Sequence, residues 1–475
     1  MLKNHIAGLL GDNLGHEPTP AQLTFIETMA GFIAPGNEMD ILLLNGYAGT
    51  GKTTLVRSLV RTMDEFKQRY VLLAPTGRAA KVLSAYTGKP AYTVHKKIYR
   101  QKSAKDGLGL FVLDKNLSAN TLFIVDEASM IANQESDKSM FGSGRLLDDL
   151  VEFVYSKAGC KLLLIGDTAQ LPPVGLDISP ALDPSVMEQY DLTVKSVFLD
   201  DVVRQSMDSG ILMNANMLRK GVEQKNNTWP QFQTEGFPDI SRISGNELIE
   251  EITDSFDRVN MANTIIVTRS NKRANLYNEG IRNKILWREE EITEGDMLMV
   301  VRNNYFWAQE EPELDFIANG DIAEIVDIQE YQERYGFRFA DVMLRFPDYH
   351  DIELGAKIML DTISLETPSL GYEENRQLYF NILEDYPEIK NKKKKYELVR
   401  EHDFFNALQV KFAYAITCHK AQGGQWDTVF VDQGYIREEM VDTEYYRWLY
   451  TAVTRATKRL YLVNFGDKLF AGEES

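Results

Sequence analysis

The sequence predicts an α/β fold in which parallel strands alternate with crossover helices. Short apolar runs alternate with helical patterns, several runs end in a glycine-rich or polar loop, and the pattern returns after an interruption. Such alternation is typical of parallel sheets, which collect ligands at the carboxyl ends of their strands. The predicted strands are residues 41–45, 70–74, 121–125 and 161–166, and then 264–268, 413–417, 428–431 and 460–464.

Length and composition indicate a globular chain. Its 475 residues are 44% hydrophobic and 26% charged, and domain-size statistics suggest about two to four domains. The formal net charge of −18 argues against a protein that coats nucleic acid or an anionic membrane over its whole surface. A local basic groove remains compatible with that charge.

The cysteines and apolar segments favour a soluble protein. Cys160 and Cys418 lie in apolar stretches without metal-ligand spacing, so we expect two reduced core thiols. No segment approaches the ~18 consecutive apolar residues that cross a bilayer, and the apolar stretch 6–10 has no cleavage-site pattern behind it. We therefore expect a cytoplasmic protein with no membrane partner.

Residues 46–54 carry the most informative motif, Gly-Tyr-Ala-Gly-Thr-Gly-Lys-Thr-Thr, directly after the first predicted strand. The pattern G-x-x-x-x-G-K-[ST] turns backbone N–H groups and a helix N-terminus towards phosphate oxygens. Lys52 would reach the β- and γ-phosphates and Thr53 a Mg²⁺ ion. The alternative is a glycine-rich turn with an incidental lysine, but the strand-loop-helix context favours a nucleotide. The predicted nucleotide-binding residues are Gly46, Ala48, Gly49, Thr50, Gly51, Lys52, Thr53 and Thr54.

Two adjacent carboxylates, Asp126 and Glu127, follow the third predicted strand. Asp126 would hold Mg²⁺, and Glu127 would polarise the water that attacks the γ-phosphate. Taken alone, such a pair is as often a helix N-cap. Its position downstream of a phosphate loop in the same sheet favours the catalytic interpretation.

The fourth predicted strand ends in residues 166–174, Gly-Asp-Thr-Ala-Gln-Leu-Pro-Pro-Val. Gln170 would lie beside the γ-phosphate, where an amide can sense the nucleotide. An ordinary turn followed by a proline breaker is the alternative. The combination with the two preceding motifs favours the catalytic role.

These motifs, in this order, resemble the superfamily 1 DNA helicases of the RecD-like and phage Dda-like branch, and the resemblance covers nearly the whole chain. It implies that Gln22 contacts adenine, that Arg204 and Arg455 are arginine fingers, and that ATP and Mg²⁺ are cofactors. Each arginine alone could instead form a surface ion pair, and a histidine alone is as often a satisfied, partly buried one. The residues that match strand-gripping segments are Pro75, Thr76, Arg78, Thr93, His95, Thr417, His419 and Lys420.

The resemblance also implies two RecA-like P-loop NTPase domains that close on ATP. We expect the first over residues 1–200, with a hairpin insertion at about 84–120. We expect the second over 201–290 and 405–475, interrupted by a mostly β module at 291–404. The implied partners are single-stranded DNA and forked or overhanging duplex DNA, with movement from 5′ to 3′ and a monomeric enzyme.

Residues 99–120 contain Lys-Asp-Gly-Leu-Gly at 105–109, which predicts a β-hairpin with an Asp-Gly turn. In this family such a hairpin resembles the pin that separates DNA strands. Phe111 could stack on a base or simply pack against its neighbours.

The module at 291–404 resembles the family's SH3-like subdomain at residues 295–303 and 319–323, with Asn319-Gly320-Asp321 as a turn signal. Beyond about residue 330 the resemblance ends, although helical-looking segments are present. The lysine run 392–395 is interpreted as a solvated loop. This stretch could hold DNA or bind a protein partner.

Two functions remain open. The first is an ATP-driven DNA helicase, and the second is a nucleotide-switched scaffold or DNA-binding subunit that no longer translocates. Every catalytic position that the resemblance supplies holds a competent residue, which favours the helicase.

Overall fold

The computed structural model describes residues 2–34, 40–102, 110–134, 142–201, 209–308, 311, 314 and 316–470. The strands, in chain order, are β1 (Ile41–Gly46), β2 (Arg69–Ala74), β3 (Ala91–Thr93), β4 (Tyr99–Lys102), β5 (Leu110–Leu113), β6 (Thr121–Val125), β7 (Lys161–Gly166), β8 (Val194–Leu199), β9 (Ile240–Ile243), β10 (Thr264–Thr268), β11 (Met297–Val300), β12 (Ile322–Arg334), β13 (Phe337–Phe346), β14 (Ile352–Met359), β15 (Leu408–Phe412), β16 (Ala415–Thr417), β17 (Trp426–Asp432) and β18 (Ala456–Val463).

The α-helices are α1 (Leu2–Leu14), α2 (Pro20–Ile33), α3 (Lys52–Glu65), α4 (Gly77–Thr87), α5 (Val94–Ile98), α6 (Leu146–Tyr155), α7 (Pro184–Glu188), α8 (Gly210–Glu223), α9 (Leu248–Arg258), α10 (Asn271–Lys284), α11 (Tyr372–Leu383), α12 (Lys392–Arg400), α13 (Cys418–Ala421) and α14 (Thr443–Val453). In the part of the chain that the structure describes, no helix combines the length and apolarity needed to span a bilayer.

The first sheet has six parallel strands in the order β3-β2-β6-β7-β1-β8. It contains all four strands predicted for the first half. Alternate residues of β1 enter different cores, because Leu42 and Leu44 pack with α1, α2 and α3 while Ile41 and Leu43 pack with α6. The motif-bearing loops after β1, β2, β6 and β7 therefore meet at one edge.

The second sheet is also parallel, in the order β16-β10-β17-β18-β9. The strand predicted at 413–417 is shorter, because only Ala415–Thr417 pairs with β10 while the preceding Leu408–Phe412 joins a different structure. The predicted mixed α/β architecture with two parallel sheets is thus present. The edge strand β9 was not predicted, since its four residues carry no strong apolar run.

A closed barrel of β11, β12, β13, β14 and β15 interrupts the second sheet. The predicted turn at Asn319–Asp321 lies between β11 and β12, and Gly320 has φ +96° there. The stretch beyond residue 330 supplies two long strands and the helices α11 and α12, which lie between β14 and β15. The last barrel strand, β15, begins at Leu408. It therefore lies beyond residue 404, where the inserted module was predicted to end.

The lysine run is helical, so the solvated-loop interpretation of residues 392–395 was wrong. Asn391 caps α12 through its side-chain oxygen, which accepts hydrogen bonds from the backbone N–H groups of Lys393 and Lys394. Tyr396 and Val399 are buried on the opposite side of the helix. The charges point to water while the cap and the buried face hold the helix.

Strands β4 and β5 form an antiparallel pair, with Tyr99 opposite Leu113. The Asp-Gly turn at 105–109 lies outside the described residues. Phe111 packs against the core of the first sheet and lies 6.4 Å from the Tyr305 ring of the barrel, centroid to centroid.

The barrel packs closely on the N-terminus of α4. A Cβ atom at Gly77 would lie 1.9 Å from the Cβ of Ala318, so this contact requires glycine. Lys81 of α4 forms an ion pair of 3.1 Å with the buried Asp321, which also accepts a hydrogen bond of 2.7 Å from the Tyr349 hydroxyl. This junction places the barrel beside the loop after β2.

Candidate nucleotide cleft and nucleic-acid groove

The phosphate loop has the backbone that its glycines predict. Gly49 and Gly51 have φ of 78° and 84°, in the left-handed region that favours glycine. Nζ of Lys52 donates to the carbonyl oxygens of Gly46 and Tyr47, at 2.7 and 2.9 Å. Lys52 therefore lies folded over the loop, where it can turn to a phosphate oxygen. Thr53 and Thr54 follow in the first turn of α3.

Gln22 is buried and joins α2 to the phosphate loop. Its side-chain oxygen accepts from the backbone N–H of Thr19 at 3.1 Å, and its amide nitrogen donates to the Thr50 carbonyl at 3.0 Å. These bonds occupy both ends of the amide. Contact of Gln22 with adenine stays a prediction, and it would use the remaining N–H or lone pair.

Asp126 and Glu127 lie at the carboxyl end of β6. One oxygen of Asp126 accepts from the Tyr86 hydroxyl at 2.6 Å, and the other accepts from the Glu127 N–H at 2.9 Å. The backbone of Glu127 is left-handed, with φ of 52°. This conformation is uncommon for residues other than glycine, and it is often found at functional sites. Burial and the neighbouring Asp126 charge raise the pKa of Glu127, against the opposing effect of Arg455 and Lys52.

The oxygen ligands at this edge fit a magnesium ion shared with nucleotide phosphates. Such ions use one or two protein oxygens and complete their shell with phosphate and water. Asp126 offers a carboxylate and Thr53 an exposed hydroxyl at the start of α3. Among the described residues no cluster of three or more His, Cys, Asp or Glu side chains could hold a metal without that phosphate.

Tyr450 of α14 reaches across from the second sheet. Its hydroxyl accepts a hydrogen bond from the Ala48 N–H at 2.8 Å and donates one to the buried Asp167 at 2.6 Å. Tyr450 lies five positions before the predicted arginine finger Arg455, but no role was predicted for it. Arg447 of the same helix donates to the carbonyl oxygens of Thr168 and Gln170.

Arg455 is buried at the end of α14. Its guanidinium donates to the carbonyls of Thr451 and Gly424, at 3.0 and 3.1 Å, and to the Thr454 hydroxyl at 3.1 Å. Its charge acts on Glu127 strongly enough to oppose the rise in pKa of that carboxyl. A cation of the second half thus lies close enough to act on a carboxylate at the end of β6.

Two other predicted catalytic residues have different outcomes. Gln170 is buried, and no donor among the described residues reaches its side-chain oxygen. A buried acceptor without a partner is costly and is typical of a ligand site. Arg204 lies outside the described residues.

A cavity of about 640 Å³ lies between the first sheet and the barrel. Pro75, Thr76, Thr93 and His95, four of the residues predicted to grip a DNA strand, line one side of it. The chain carries 70 Asp and Glu residues, yet none of the 23 described residues that line this cavity is acidic. We call this acid-free cavity the groove.

His95 contributes a neutral ring to the groove at physiological pH, because burial lowers its pKa to about 4. His95 lies in the short helix α5. Thr93 caps this helix, because its side-chain oxygen accepts a hydrogen bond of 3.1 Å from the Lys96 N–H. This side of the groove therefore offers hydrogen-bonding groups and no charge from His95.

The predicted contacts of the second half lie apart from the groove lining. His419 is exposed, and Thr417 precedes the short helix α13. Nζ of Lys420 is buried without a hydrogen-bond partner in the described part of the chain. Burial and the nearby Lys411 charge lower the pKa of Lys420 to about 8. An unpartnered ammonium group of this kind favours an anionic ligand.

Arg78 is not part of the groove lining. Its guanidinium lies over the Trp426 ring, 4.1 Å from the centroid, so it is buried between the two halves. The neighbouring loop approaches α4 closely: a Cβ at Gly423 (φ +72°) would lie 2.8 Å from the Cβ of Ala79 and 3.6 Å from the Thr76 hydroxyl. Contact of Arg78 with DNA stays a prediction.

Known families match both halves of the chain. The sequence model of an AAA domain matches residues 22–233, and that of a UvrD-like helicase C-terminal domain matches residues 412–463. The second match contains Arg455 and the segment from Thr417 to Lys420. The chain is 32% identical to the ATP-dependent RecD2 DNA helicase of Deinococcus radiodurans over 38% of its length and 22% of that protein. It is 24% identical to the ATP-dependent DNA helicase dda of phage T4 over 54% of its length and 55% of that protein.

Together these matches support a superfamily 1 helicase of the RecD-like and Dda-like kind. The chain is also 25% identical to an uncharacterised protein of Acanthamoeba polyphaga mimivirus, with 89% of its own length and 95% of that protein covered. Among solved structures, the Pif1 helicase from Bacteroides in complex with ADP-AlF3 and ssDNA is similar, with a TM-score of 0.48, 14% identity, and 96% and 95% of the two chains covered.

Proposed function

We propose that this helicase hydrolyses ATP to move along single-stranded DNA from 5′ to 3′ and thereby unwinds forked or overhanging duplexes. The observation that carries the proposal is the loop at Gly423 and Gly424. Gly424 accepts a hydrogen bond from Arg455 at the nucleotide cleft, while Gly423 lies against Thr76 at the groove. A change at the nucleotide therefore has a short path to the DNA grip.

The chemistry follows from three groups that converge on the cleft. Lys52 would bind the β- and γ-phosphates, Glu127 would take up a proton from the attacking water, and Arg455 would stabilise the charge of the transferring phosphoryl group. Mg²⁺, held by Thr53 and Asp126, would neutralise charge on the phosphate oxygens. Gln170 and Arg204 would complete the site from the first and second halves.

Closure of the two halves completes this site, because Arg455 and Tyr450 belong to α14 while the phosphate loop belongs to the first sheet. We assign the halves to residues 1–200 and to 201–290 with 405–475, apart from β15, which belongs to the barrel. Hydrolysis that depends on closure can drive alternate tightening of the two DNA grips. A scaffold subunit would not need the competent residues at Lys52, Glu127 and Arg455.

The contacts to DNA would be made mainly to its backbone. Thr76, Thr93 and neutral His95 would donate hydrogen bonds in the groove, and Lys420 of the second half would supply a charge outside the groove lining. Such groups position a strand without reading its bases. Pro75, Arg78, Thr417 and His419 are the remaining proposed contacts.

Affinity for single-stranded DNA should fall as pH rises through about 8, because Lys420 then loses the proton that its phosphate contact requires. Below that pH the charge is present and affinity is full. Fluorescence anisotropy with a labelled oligonucleotide across this pH range measures the change. Lys420→Arg is the matched control, since its guanidinium stays charged and should remove most of the dependence. A wild-type affinity that is flat across this range would contradict the contact.

Forked substrates with a single 5′ or a single 3′ overhang test the polarity. We expect ATP-dependent unwinding of the 5′-overhang substrate and little unwinding of the other. ATPase rates with and without single-stranded DNA should show strong stimulation. Unwinding that starts from the 3′ overhang would overturn the polarity, and an ATPase rate that ignores DNA would favour the scaffold function.

A further inference from the structure

The helices α11 and α12 form a wall of the groove. They are inserted between β14 and β15 and pack on the barrel through a small core of their own that includes Phe339, Leu378 and Val399. The groove residues that the pair and its flanking turns contribute are Leu370, Tyr372, Asn375, Arg400 and Phe405. This elaboration therefore faces the same cavity as Thr93 and His95.

Arg302, just after β11, enters the groove beside this wall. Its Nη1 donates a hydrogen bond of 2.8 Å to the side-chain oxygen of Asn375 on α11. In the described part of the chain, no carboxylate lies within ion-pair distance of Arg302, and desolvation alone lowers its pKa. Several other partly buried arginines here have acidic partners, as Arg282 and Arg288 have Asp296.

Asn375 is locked in the orientation that receives Arg302. Its amide nitrogen donates to the carbonyls of Leu370 and Gly371, at 2.9 and 2.7 Å. Both amide N–H groups are thereby used, so the oxygen must face the guanidinium. Gln409 of β15 donates to the same oxygen at 3.2 Å. The barrel and α11 together hold one guanidinium in place without neutralising it.

A desolvated guanidinium without a counter-charge favours an anion, and phosphate matches its planar set of donors. We propose that Arg302, positioned by Asn375, binds a backbone phosphate of the single strand in the groove, so that α11 and α12 serve as a nucleic-acid wall. This inference rests on the proposed function. A protein-binding role for the same wall is the alternative, and it gives a different result below.

The test combines Arg302→Gln with single-stranded oligonucleotides that each carry one neutral methylphosphonate. We expect Arg302→Gln to weaken binding about ten- to hundredfold, as the loss of a charged hydrogen bond does. The slope of log affinity against log salt should fall by about 0.7, the value for one phosphate. One methylphosphonate position should weaken binding by the wild-type enzyme and cause no further loss in the variant. Arg302→Lys should retain most of the slope.

Arg376→Gln is the matched control, because Arg376 lies on the same helix, is exposed and pairs with Glu373. It should bind like the wild type. Thermal unfolding of each variant shows whether it is folded. If Arg302→Gln does not fold, the methylphosphonate series is measured with Arg302→Lys instead. The inference then predicts that the position with the largest loss of affinity in the wild type shows a different loss in Arg302→Lys. If every position and salt slope is the same in wild type and Arg302 variants, the inference is wrong and the wall serves another partner. If Lys420→Gln still weakens binding in that case, the proposed function stands; if the wild type does not bind single strands at all, the proposed function fails first.

Discussion

Arg455→Ala should slow ATP hydrolysis by about 10³–10⁵-fold while changing ATP affinity far less. The guanidinium is held by Thr451, Gly424 and Thr454 in the second half, and its charge acts on Glu127 in the first. We expect a group placed in this way to act on the charge that develops in the transition state. Because Arg455 belongs to the second half and the phosphate loop to the first, this effect requires the two halves to be together. Single-turnover hydrolysis and equilibrium binding of a nucleotide analogue separate the two effects.

Two further variants make the result for Arg455 specific. Arg455→Lys keeps a charge but loses the planar fork that bonds Gly424, so we expect an intermediate rate. Arg437→Ala is the control, because Arg437 is exposed and pairs with Glu439. Arg455 also makes three hydrogen bonds, so thermal unfolding should accompany the kinetics. A folded Arg455→Ala enzyme with a wild-type turnover, or one whose whole defect lies in nucleotide affinity, would remove Arg455 from the finger role.

Glu127→Gln should lose about 10²–10⁴-fold in hydrolysis and still bind ATP, and therefore accumulate a nucleotide-bound form. The amide has the size of the carboxylate but cannot take up a proton. Rapid quench of bound ATP measures the hydrolysis step, and filter binding measures the retained nucleotide. Glu152→Gln, an exposed change on α6, should behave like the wild type.

The pH dependence follows from the same residue. Burial and Asp126 raise the pKa of Glu127, and only the deprotonated form can act as a base. The wild-type rate should thus fall, as pH is lowered, well above the range in which an ordinary glutamate titrates. Glu127→Gln should lack this limb. Weak ATP binding by the variant, or the same acid limb in both enzymes, would contradict the assignment of the base.

The strands that carry motifs were predictable because each one is an apolar run that ends in a conspicuous polar loop. The strands β1, β2, β6 and β7 lie within one residue of their predicted bounds. The barrel was only partly predictable. Its strand β12 has no buried residue beyond Ile325, so most of its length carries no apolar signal. Its closure joins β11 to β15 across more than a hundred residues of chain.

The local motifs identified candidate residues, but their partners come from distant segments. Tyr450 meets Ala48, 402 positions earlier, so nothing near either residue signals the bond. Arg78 likewise meets a distant residue, because its guanidinium lies over the ring of Trp426, 348 positions later. Arg302 lies in the segment 295–303 that resembles the SH3-like subdomain, but no role was predicted for it. What marks Arg302 as a candidate is the absence of acidic residues from the lining of the groove. The residues of this lining come from distant segments, so only the folded structure shows it.

The hydroxyl of Tyr450 holds the phosphate loop to α14 through two hydrogen bonds that involve no nucleotide. During each cycle there is an interval after product has left and before new ATP arrives. In the proposed cycle, these bonds would hold the halves together in that interval, so that the single strand would not dissociate from an open cleft. In the proposed function, the number of steps per encounter with DNA, the processivity of the enzyme, would thus depend in part on a phenol that takes no part in the chemistry.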